Sequence, residues 1–472
     1  MISHPSRSFV RPIVAISLLR YGVAVPLTND STIYRDVAII GGGASGTHAT
    51  IALNDAGLST ITIEASSGLG GPTQVYTDPN TNTTIDFGSQ AFQNIPATQR
   101  YMKRLNLKTD DNFVPWGAFF NQSKYFNFNE GKEIVGFEPL DNIWTQQNYN
   151  DSLQPYPELQ WGKELKSPVP EELYLPFGEF VKKHGLENII FGLNNVYTGD
   201  NILEQPTLNV ISDSGLAEIR NWLPGGALRV VTGNGQVYRK AVDVIGPNNI
   251  LFESTVTKAV RGNHGASLWV KTPKGTKHII AKRLLVTIPT IAEDMEPFGI
   301  DAHERKIFSS FSAKSLWIGI FRIPNLPDAV SYVNADAGRP YNLTPVYGDY
   351  RILPTAIDGL YTTYFNGNTT TSDEEAIASA LNSVSYMVKG LKGVSQLAKS
   401  EKPEVVITKR VYRWTPGMHA DAIKRGMWDK MYALQGTKST WYTGATFMPG
   451  SHQLWNYTDT VLVPEILSSI RG

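Results

Sequence analysis

Apolar positions near the start of the chain come in short unbroken runs, the pattern of strands buried on both faces. Residues 36–40 (DVAII) run straight into Gly41-Gly42-Gly43-Ala44-Ser45-Gly46. Residues 47–56 then read as a helix, and 59–63 as a second strand closing on Glu64. A strand, a glycine turn, a helix and a strand within about 30 residues outline a parallel βαβ unit. From 101 to 221 the texture changes to aromatic-rich sequence punctuated by Pro and Asn, with one clear helical stretch at 177–184. Gly225 and Gly226 mark a turn, and a helix-like run comes next at 235–244.

Alternation suited to an antiparallel meander occupies 250–252, 256–260, 267–271 and 277–280. Residues 283–288 (RLLVTI) form a buried-type strand stopped by Pro289. Further strands are expected at 315–321, 361–365 and 439–444, and helices at 373–391 and 458–470. Two kinds of segment therefore take turns along the chain. The expected division is 1–24 as a leader, 33–100, 225–292 and 430–472 as a discontinuous nucleotide-binding domain, and 101–224 and 293–429 as a substrate domain.

Composition removes several alternatives. Lys plus Arg equals Asp plus Glu at 43 each, and no basic run builds a patch, so nucleic acid is not an expected partner. Cysteine is absent, which excludes disulfides, thiolate metal sites, a redox dithiol and thioether attachment of a cofactor. The eight histidines show no HxH or HxxxH spacing, so no metal is expected. Arg7 and Arg11 precede an apolar stretch from Pro12 to Leu19, and Gly22-Val23-Ala24 offers a small-x-small cleavage site, although Arg20 interrupts. This reads as a secretory signal. No other segment approaches the ~18 apolar residues of a membrane span. N-x-S/T triplets stand at Asn29, Asn82, Asn121, Asn150, Asn342, Asn368 and Asn456. The first six are glycosylation candidates.

Gly41-x-Gly43-x-x-Gly46 between a strand and a helix is a dinucleotide fingerprint with a mechanism. Gly41 permits the tight turn, Gly43 admits the pyrophosphate, and Gly46 lets the helix pack on the sheet. The helix N-terminus faces the phosphates, which Ala44 and Ser45 flank. Glu64, eighteen residues after Gly46, suits a ribose with a free 2′-hydroxyl.

The residues after Glu64 separate FAD from NAD. Ala65-Ser66-Ser67-Gly68-Leu69-Gly70-Gly71, then Ile85-Asp86-Phe87-Gly88-Ser89-Gln90, resembles the glutathione-reductase-type flavoproteins of the amine oxidase superfamily. Within it the chain is similar to the fungal beta-cyclopiazonate dehydrogenase-like branch, with fatty acid isomerases and prenylcysteine oxidases as relatives. The resemblance implies an α/β fold, a Rossmann-type FAD-binding domain interleaved with an α+β substrate domain, and non-covalent FAD. It places Ala65 at the adenosine, Gly70 and Gly71 at the flavin phosphate and ribityl chain, and Gly88, Ser89 and Gln90 in the D-x-G element. Pro72 stands where the family often has Arg or His. Val256 matches a valine at the adenine edge, and Gly444 the late strand that returns under the flavin. Tyr457 and Thr458 would open the last helix, its positive end toward the flavin.

Catalytic residues are less legible. Lys314, in FSAKSLWIGIF, resembles the amine oxidase lysine that holds a water against the flavin; the competing reading is a strand lysine reaching solvent. Residues 410–416 (RVYRWTP) resemble an aromatic strand facing the flavin, or are plain sheet core. Gln435-Gly436 looks like a family landmark. His419 and His452 read as ordinary structural or surface histidines. Trp116, Phe119, Phe120, Tyr125 and Phe126 suit an apolar ligand or a core.

Three functions are compatible with this pattern. One is an oxidase or dehydrogenase taking a hydride from an apolar or amine-bearing small molecule, with oxygen or another acceptor reoxidising the flavin. A second is a redox-neutral double-bond isomerase. The third is a lipid-binding chaperone that keeps the architecture without catalysis. On the secretory reading, extracellular protein begins after about Ala24 and loses mass on glycosidase treatment. N-terminal sequencing that finds Met1 on extracellular material, with no glycosidase shift, refutes it.

Overall fold

The computed structural model describes residues 32–89, 91–112, 122–140, 143–197, 201–324, 326–327, 329–391 and 401–472. Strand β1 (Ile33–Ile40) is followed by helix α1 (Ala44–Asp55) and strand β2 (Thr60–Ile63). β1 pairs in parallel with β2 on one side and with β3 (Gly275–Val286) on the other. Ile250–Leu251 extends the sheet beyond β2. On the far side, Gly265–Thr272 and Thr255–Gly262 complete an antiparallel meander.

β3 corrects the sequence reading of two strands at 277–280 and 283–288. Its antiparallel part opens with four accessible residues and then buries Ile279 and Ala281 on either side of exposed Ile280. Its last three residues, Leu284, Leu285 and Val286, are all buried, flanked by parallel neighbours. One strand crosses from a half-exposed to a fully buried setting, so its apolar pattern changes midway without a break in the backbone.

The second sheet has β4 (Phe311–Arg322) between β5 (Glu404–Met418) and Leu360–Gly367. Gly348–Pro354, Ser331–Asn334, Ser123–Asn127 and Lys132–Glu133 complete it. Helix Asp373–Gly390, capped by Ser372 and Glu375, lays Ala376, Ala380, Val384 and Met387 on its face. Residues 143–221 form short helices, including Phe177–His184, Ile190–Tyr197 and Thr207–Asp213. Phe177–His184 is the stretch the sequence pattern indicates; frequent Pro and Asn keep the others too short for periodicity to show. Phe126 is core, while Tyr125 meets Phe137 and Phe191 edge-on; Trp116, Phe119 and Phe120 lie outside the described residues.

A second correction concerns the end of the chain. After β6 (Thr440–Tyr442), the final helix opens at Ser451, not near 458. Helix α2 (Ser451–Tyr457) passes through a π-helical turn, Thr458–Leu462, into α3 (Val463–Arg471). Pro464 has no N–H to offer the carbonyl one turn back, and its ring crowds that turn. Widening to a π turn absorbs the conflict without ending the helix.

Among the described residues, no helix is long and apolar enough to cross a membrane. Asn82 and Asn368 are exposed, Asn150, Asn342 and Asn456 are half-buried, and Asn29 and Asn121 fall outside the described residues.

A buried ion pair ties the meander to the sheet end. The Arg261 guanidinium meets the Glu304 carboxylate at 2.9 Å, with side-chain exposures of 1% and 2%. Tyr442 donates to Glu304 at 3.0 Å, Arg261 donates to Tyr442 at 2.7 Å, and Lys438 donates to Glu304 at 2.9 Å. Burial raises the Glu304 pKa, but the Lys438 bond, the Asp301 N–H and Arg261 outweigh it, leaving the carboxyl below its ordinary value. Glu304→Ala strands a buried guanidinium and should cost about 3–5 kcal/mol in urea unfolding. A carboxyl with a depressed folded pKa stabilises above its unfolded value and less as pH falls through it. The variant's loss of stability below about pH 4 should therefore be shallower than the parent's.

Candidate active site

At the end of β1, Gly41 has φ +101°, a conformation that side chains rarely adopt. A Cβ at Gly41 or at Gly46 would lie 2.8 Å from Thr287 Oγ1, just past the end of β3. Thr287 Oγ1 itself donates to Ile40 O at 2.8 Å and Gly41 O at 3.2 Å. Thr47 Oγ1 closes the turn on Gly42 O at 2.8 Å. Gly43, by contrast, faces open space: a Cβ there meets no atom within 4 Å. It is the N-cap of α1, with no side chain capping the helix and no acidic residue in its first turn, where Ala44 and Ser45 lie. Free N–H groups with space before them suit a doubly charged pyrophosphate.

The second glycine element folds onto the first. Gly70 donates to Gly42 O at 2.9 Å, and a Cβ at Gly71 would sit 3.4 Å from Gly43 Cα. Gly88 packs so closely on the Pro72 carbonyl that any side chain would overlap it. Asp86 accepts from Asn234 N at 2.9 Å beside the start of helix Gln236–Ile245, and Asn234 Nδ2 donates to Ser89 O at 3.2 Å. Gln90 lies outside the described residues. Glu64 accepts from Gly42 N and Ser66 N, each at 2.7 Å, so its carboxylate is fixed beside the turn, with Ala65 exposed next to it. Ser254, two residues before Val256, donates to Glu64 O at 2.9 Å, bringing the start of that strand to the same place.

The loop after β6 completes the surround. Thr443 N donates to Val286 O at 2.9 Å, and Ser45 Oγ lies 3.3 Å from Thr443 Oγ1. Gly444, φ +101°, packs on the Thr287 carbonyl too tightly for a Cβ. Trp455 Nε1 donates to Ala44 O at 3.0 Å, holding α2 against α1. Tyr457 and Thr458 do not open this helix. They lie at its π turn, buried, and the positive end falls at Gly450, Ser451 and His452. No breaker stands between 451 and 457, so the helix starts earlier than the Thr458 cap suggests.

From the same loop, Ala445 and Pro449 line a small cleft together with Lys163, Tyr197, Asn209, Asp213, Thr415 and Pro416. Lys163 is buried, with its Nζ 3.5 Å from Thr446 O and 5.3 Å from the centre of the Trp428 ring. Desolvation pulls its pKa down to about 8. Asp213 is pushed up to about 7, by burial first and by Glu218 second, against the pull of Lys163 and Lys314. Its carboxylate makes no hydrogen bond to a described residue. Lys314 is 3% exposed, its Nζ 5.4 Å from the Tyr197 ring centre, so the solvent-reaching alternative fails. The β4–β5 register shifts on both sides of Lys314, and Arg413 and Thr415 on β5 have positive φ. Bulges of this kind re-aim side chains.

Other candidates have structural roles. Arg410 binds Ser315 Oγ and stacks on Trp317, and Gln435 exchanges hydrogen bonds with the Tyr442 backbone. His419 is an exposed N-cap. His452 is buried, and desolvation brings its pKa down to about 3. Lys163 and Asp213 escape sequence reasoning altogether. Neither sits in a motif, and only burial, invisible in one sequence, distinguishes them from surface charges.

The uncapped N-terminus of α1, the paired glycine elements and the anchored Glu64 fit a dinucleotide with two phosphates. Residues 39–105 match the family described as an NAD(P)-binding Rossmann-like domain. Among solved structures, a CLA-producing fatty acid isomerase from P. acnes shares the fold with TM-score 0.69 at 16% identity, covering 91% of this chain and 98% of the other. Cyclohexylamine oxidase from Brevibacterium oxydans does so with TM-score 0.63, also at 16%, covering 93% and 100%. Fold and cradle together define a Rossmann-type dinucleotide-binding protein.

The FAD-dependent oxidoreductase pigF of Monascus ruber is 33% identical over 93% of this chain and 94% of its own length. Beta-cyclopiazonate dehydrogenase of Aspergillus flavus is 32% identical over 95% and 96%. The chain belongs to this family of FAD-dependent oxidoreductases, and FAD is its cofactor.

The two kinds of glycine should separate by substitution. Gly43→Val fills empty space, so circular dichroism and Tm should stay near the parent's while FAD occupancy falls at least ~10-fold, about 1.4 kcal/mol. Gly46→Val drives a side chain into the Gly41 carbonyl and should cost at least about 1–3 kcal/mol of stability. Full FAD occupancy in Gly43→Val, measured by visible absorbance, defeats the assignment.

Proposed function

We propose that the protein oxidises an apolar or amine-bearing small metabolite on non-covalently held FAD, with oxygen as the terminal acceptor, in the extracellular space. The observation that carries this reading is the 443–449 loop. One end is bonded to the glycine turn through Thr443, and the other lines the cavity through Ala445 and Pro449. Cofactor cradle and cavity therefore share a wall. Bound FAD supplies a hydride acceptor. The 41–46 and 70–71 glycines, Glu64, Val256 and the positive end of α2 hold it, while the cavity orients the substrate and excludes water.

Lys314 has the remaining part. Buried beside the cavity, its ammonium stabilises negative charge as oxygen takes up electrons. The signal-like pattern at 7–24, which lies outside the described residues, and the exposed triplets at Asn82 and Asn368 support the extracellular reading. A second reading, redox-neutral isomerisation, draws on the likeness in fold to the fatty acid isomerase.

Purified protein should be yellow and should release intact FAD on denaturation. Lys314→Met should slow reoxidation by oxygen at least ~10-fold, about 1.4 kcal/mol of barrier, with substrate-driven bleaching less affected. Stopped-flow absorbance measures both. Unchanged reoxidation returns Lys314 to a structural role, and product formation without oxygen uptake or an added acceptor selects the isomerase. A folded, colourless protein that takes up no FAD leaves only a binding role.

A further inference from the structure

The glycine cradle is short of positive charge for a cofactor whose diphosphate carries two negative ones. The free N–H groups of α1 supply about half a charge. Glu64, fixed between Gly42 N and Ser66 N, adds a negative charge. Neither 41–46 nor 64–72 contains a Lys or Arg. One ammonium reaches these elements from the other sheet: Lys409 Nζ lies 3.4 Å from Ser66 Oγ, two residues past Glu64. Among the described residues, no other Lys or Arg side chain bonds to either element, and Lys409 forms no ion pair. Glu253, whose N donates to Ser66 O, is exposed. The strand explains the placement. Lys409 on β5 pairs with Ile318 of β4, so the two share a face. Ile318 packs with Ile85 and Phe87, next to Gly88, whereas Arg410 turns to the other face, to Ser315 and Trp317. A bond of 3.4 Å from an ammonium to a hydroxyl is long and is given up at little cost.

From this we infer that Lys409 is a cofactor-binding residue, holding the adenosine-side phosphate of FAD from the second sheet rather than from the Rossmann unit. The inference rests on FAD being the cofactor and adds to its cradle a residue that no glycine motif contains. Glu64 is placed for the ribose hydroxyls, and the adenosine-side phosphate is the group joined to that same ribose. Ser66 keeps the ammonium beside Glu64, and four flexible carbons let it turn from the hydroxyl to a phosphate oxygen. An ammonium bonded to a charged oxygen is held more strongly than one bonded to a hydroxyl. The competing role is structural, with the Lys409–Ser66 bond simply docking β5 onto the loop after β2.

Dilution of FAD-loaded protein, followed by the flavin fluorescence that appears on release, gives the dissociation constant. Lys409→Met should raise it at least ~10-fold, about 1.4 kcal/mol. Salt should narrow the gap, because screening weakens a contact that the variant lacks. Between about 0.05 and 0.5 M NaCl the parent should lose more affinity than Lys409→Met. ADP carries the adenosine and the diphosphate without the flavin ring. Its affinity, from competition with FAD, should fall at least about fivefold in the variant. Lys409→Arg, which keeps the charge, should restore most of the affinity, and Ser66→Ala should change it less than about threefold. Unchanged FAD affinity in folded Lys409→Met, an equal loss in Ser66→Ala, a loss that salt leaves alone, or unchanged ADP affinity each overturns the inference. Should Lys409→Met not fold, Lys409→Gln takes its place in every arm. The failures stay distinguishable. Parent and variant that hold FAD equally well defeat only this inference, whereas folded wild-type protein without FAD defeats the cofactor assignment beneath it.

Discussion

Three stretches of backbone meet at Thr287, and the rest of the site depends on how close they come. The glycine turn after β1, the end of β3 and the loop after β6 approach until a methyl group at Gly41, Gly46 or Gly444 would overlap an atom of Thr287. Parallel strands make this approach possible, because β1, β3 and β6 all end at the same edge of the sheet. Ligands of open α/β sheets bind outside that edge. Closeness here is what leaves Gly43 facing open space, and what brings the 443–449 loop from the cradle to the cavity in a few residues.

Two buried charge clusters serve opposite ends. Arg261, Glu304, Tyr442 and Lys438 satisfy one another, so their burial costs little beyond desolvation and fixes the meander against the sheet end. Asp213 accepts no hydrogen bond from a described residue, and burial raises its pKa against the pull of Lys163 and Lys314. Desolvation without hydrogen bonds is what moves a pKa toward neutrality, a costly arrangement that is useful only where a ligand completes it. The register shifts flanking Lys314 belong to the same pattern, since a regular strand would give its side chain a different aim.

The last helix shows how one residue can redirect an inference. Thr458 looks like a cap because Thr often is one and an acidic residue comes directly after it. In the folded chain Gly450 begins the helix, with Gln453 Oε1 accepting from its N–H at 3.1 Å, and Pro464 widens one turn rather than ending it. Asp459, on that π turn, bonds His48 of α1 at 2.7 Å. The irregular turn is thus anchored to the helix that carries the glycine fingerprint.

By itself the sequence determined the βαβ unit, the close packing at Gly41 and Gly46, the place of Glu64 beside the turn, and most strands and longer helices. These are local: spacing, turn chemistry and apolar runs act over a few residues, and a fingerprint is a backbone requirement written in glycine. Tertiary structure alone decided that β3 is one strand, that the final helix begins at Ser451, and that Lys163 and Asp213 line one cleft. The first and last of these join segments distant in the sequence. A lysine in WGKEL and an aspartate closing TLNVISD look like ordinary surface charges until folding removes their water, and desolvation is a property of the packed chain rather than of any segment in it.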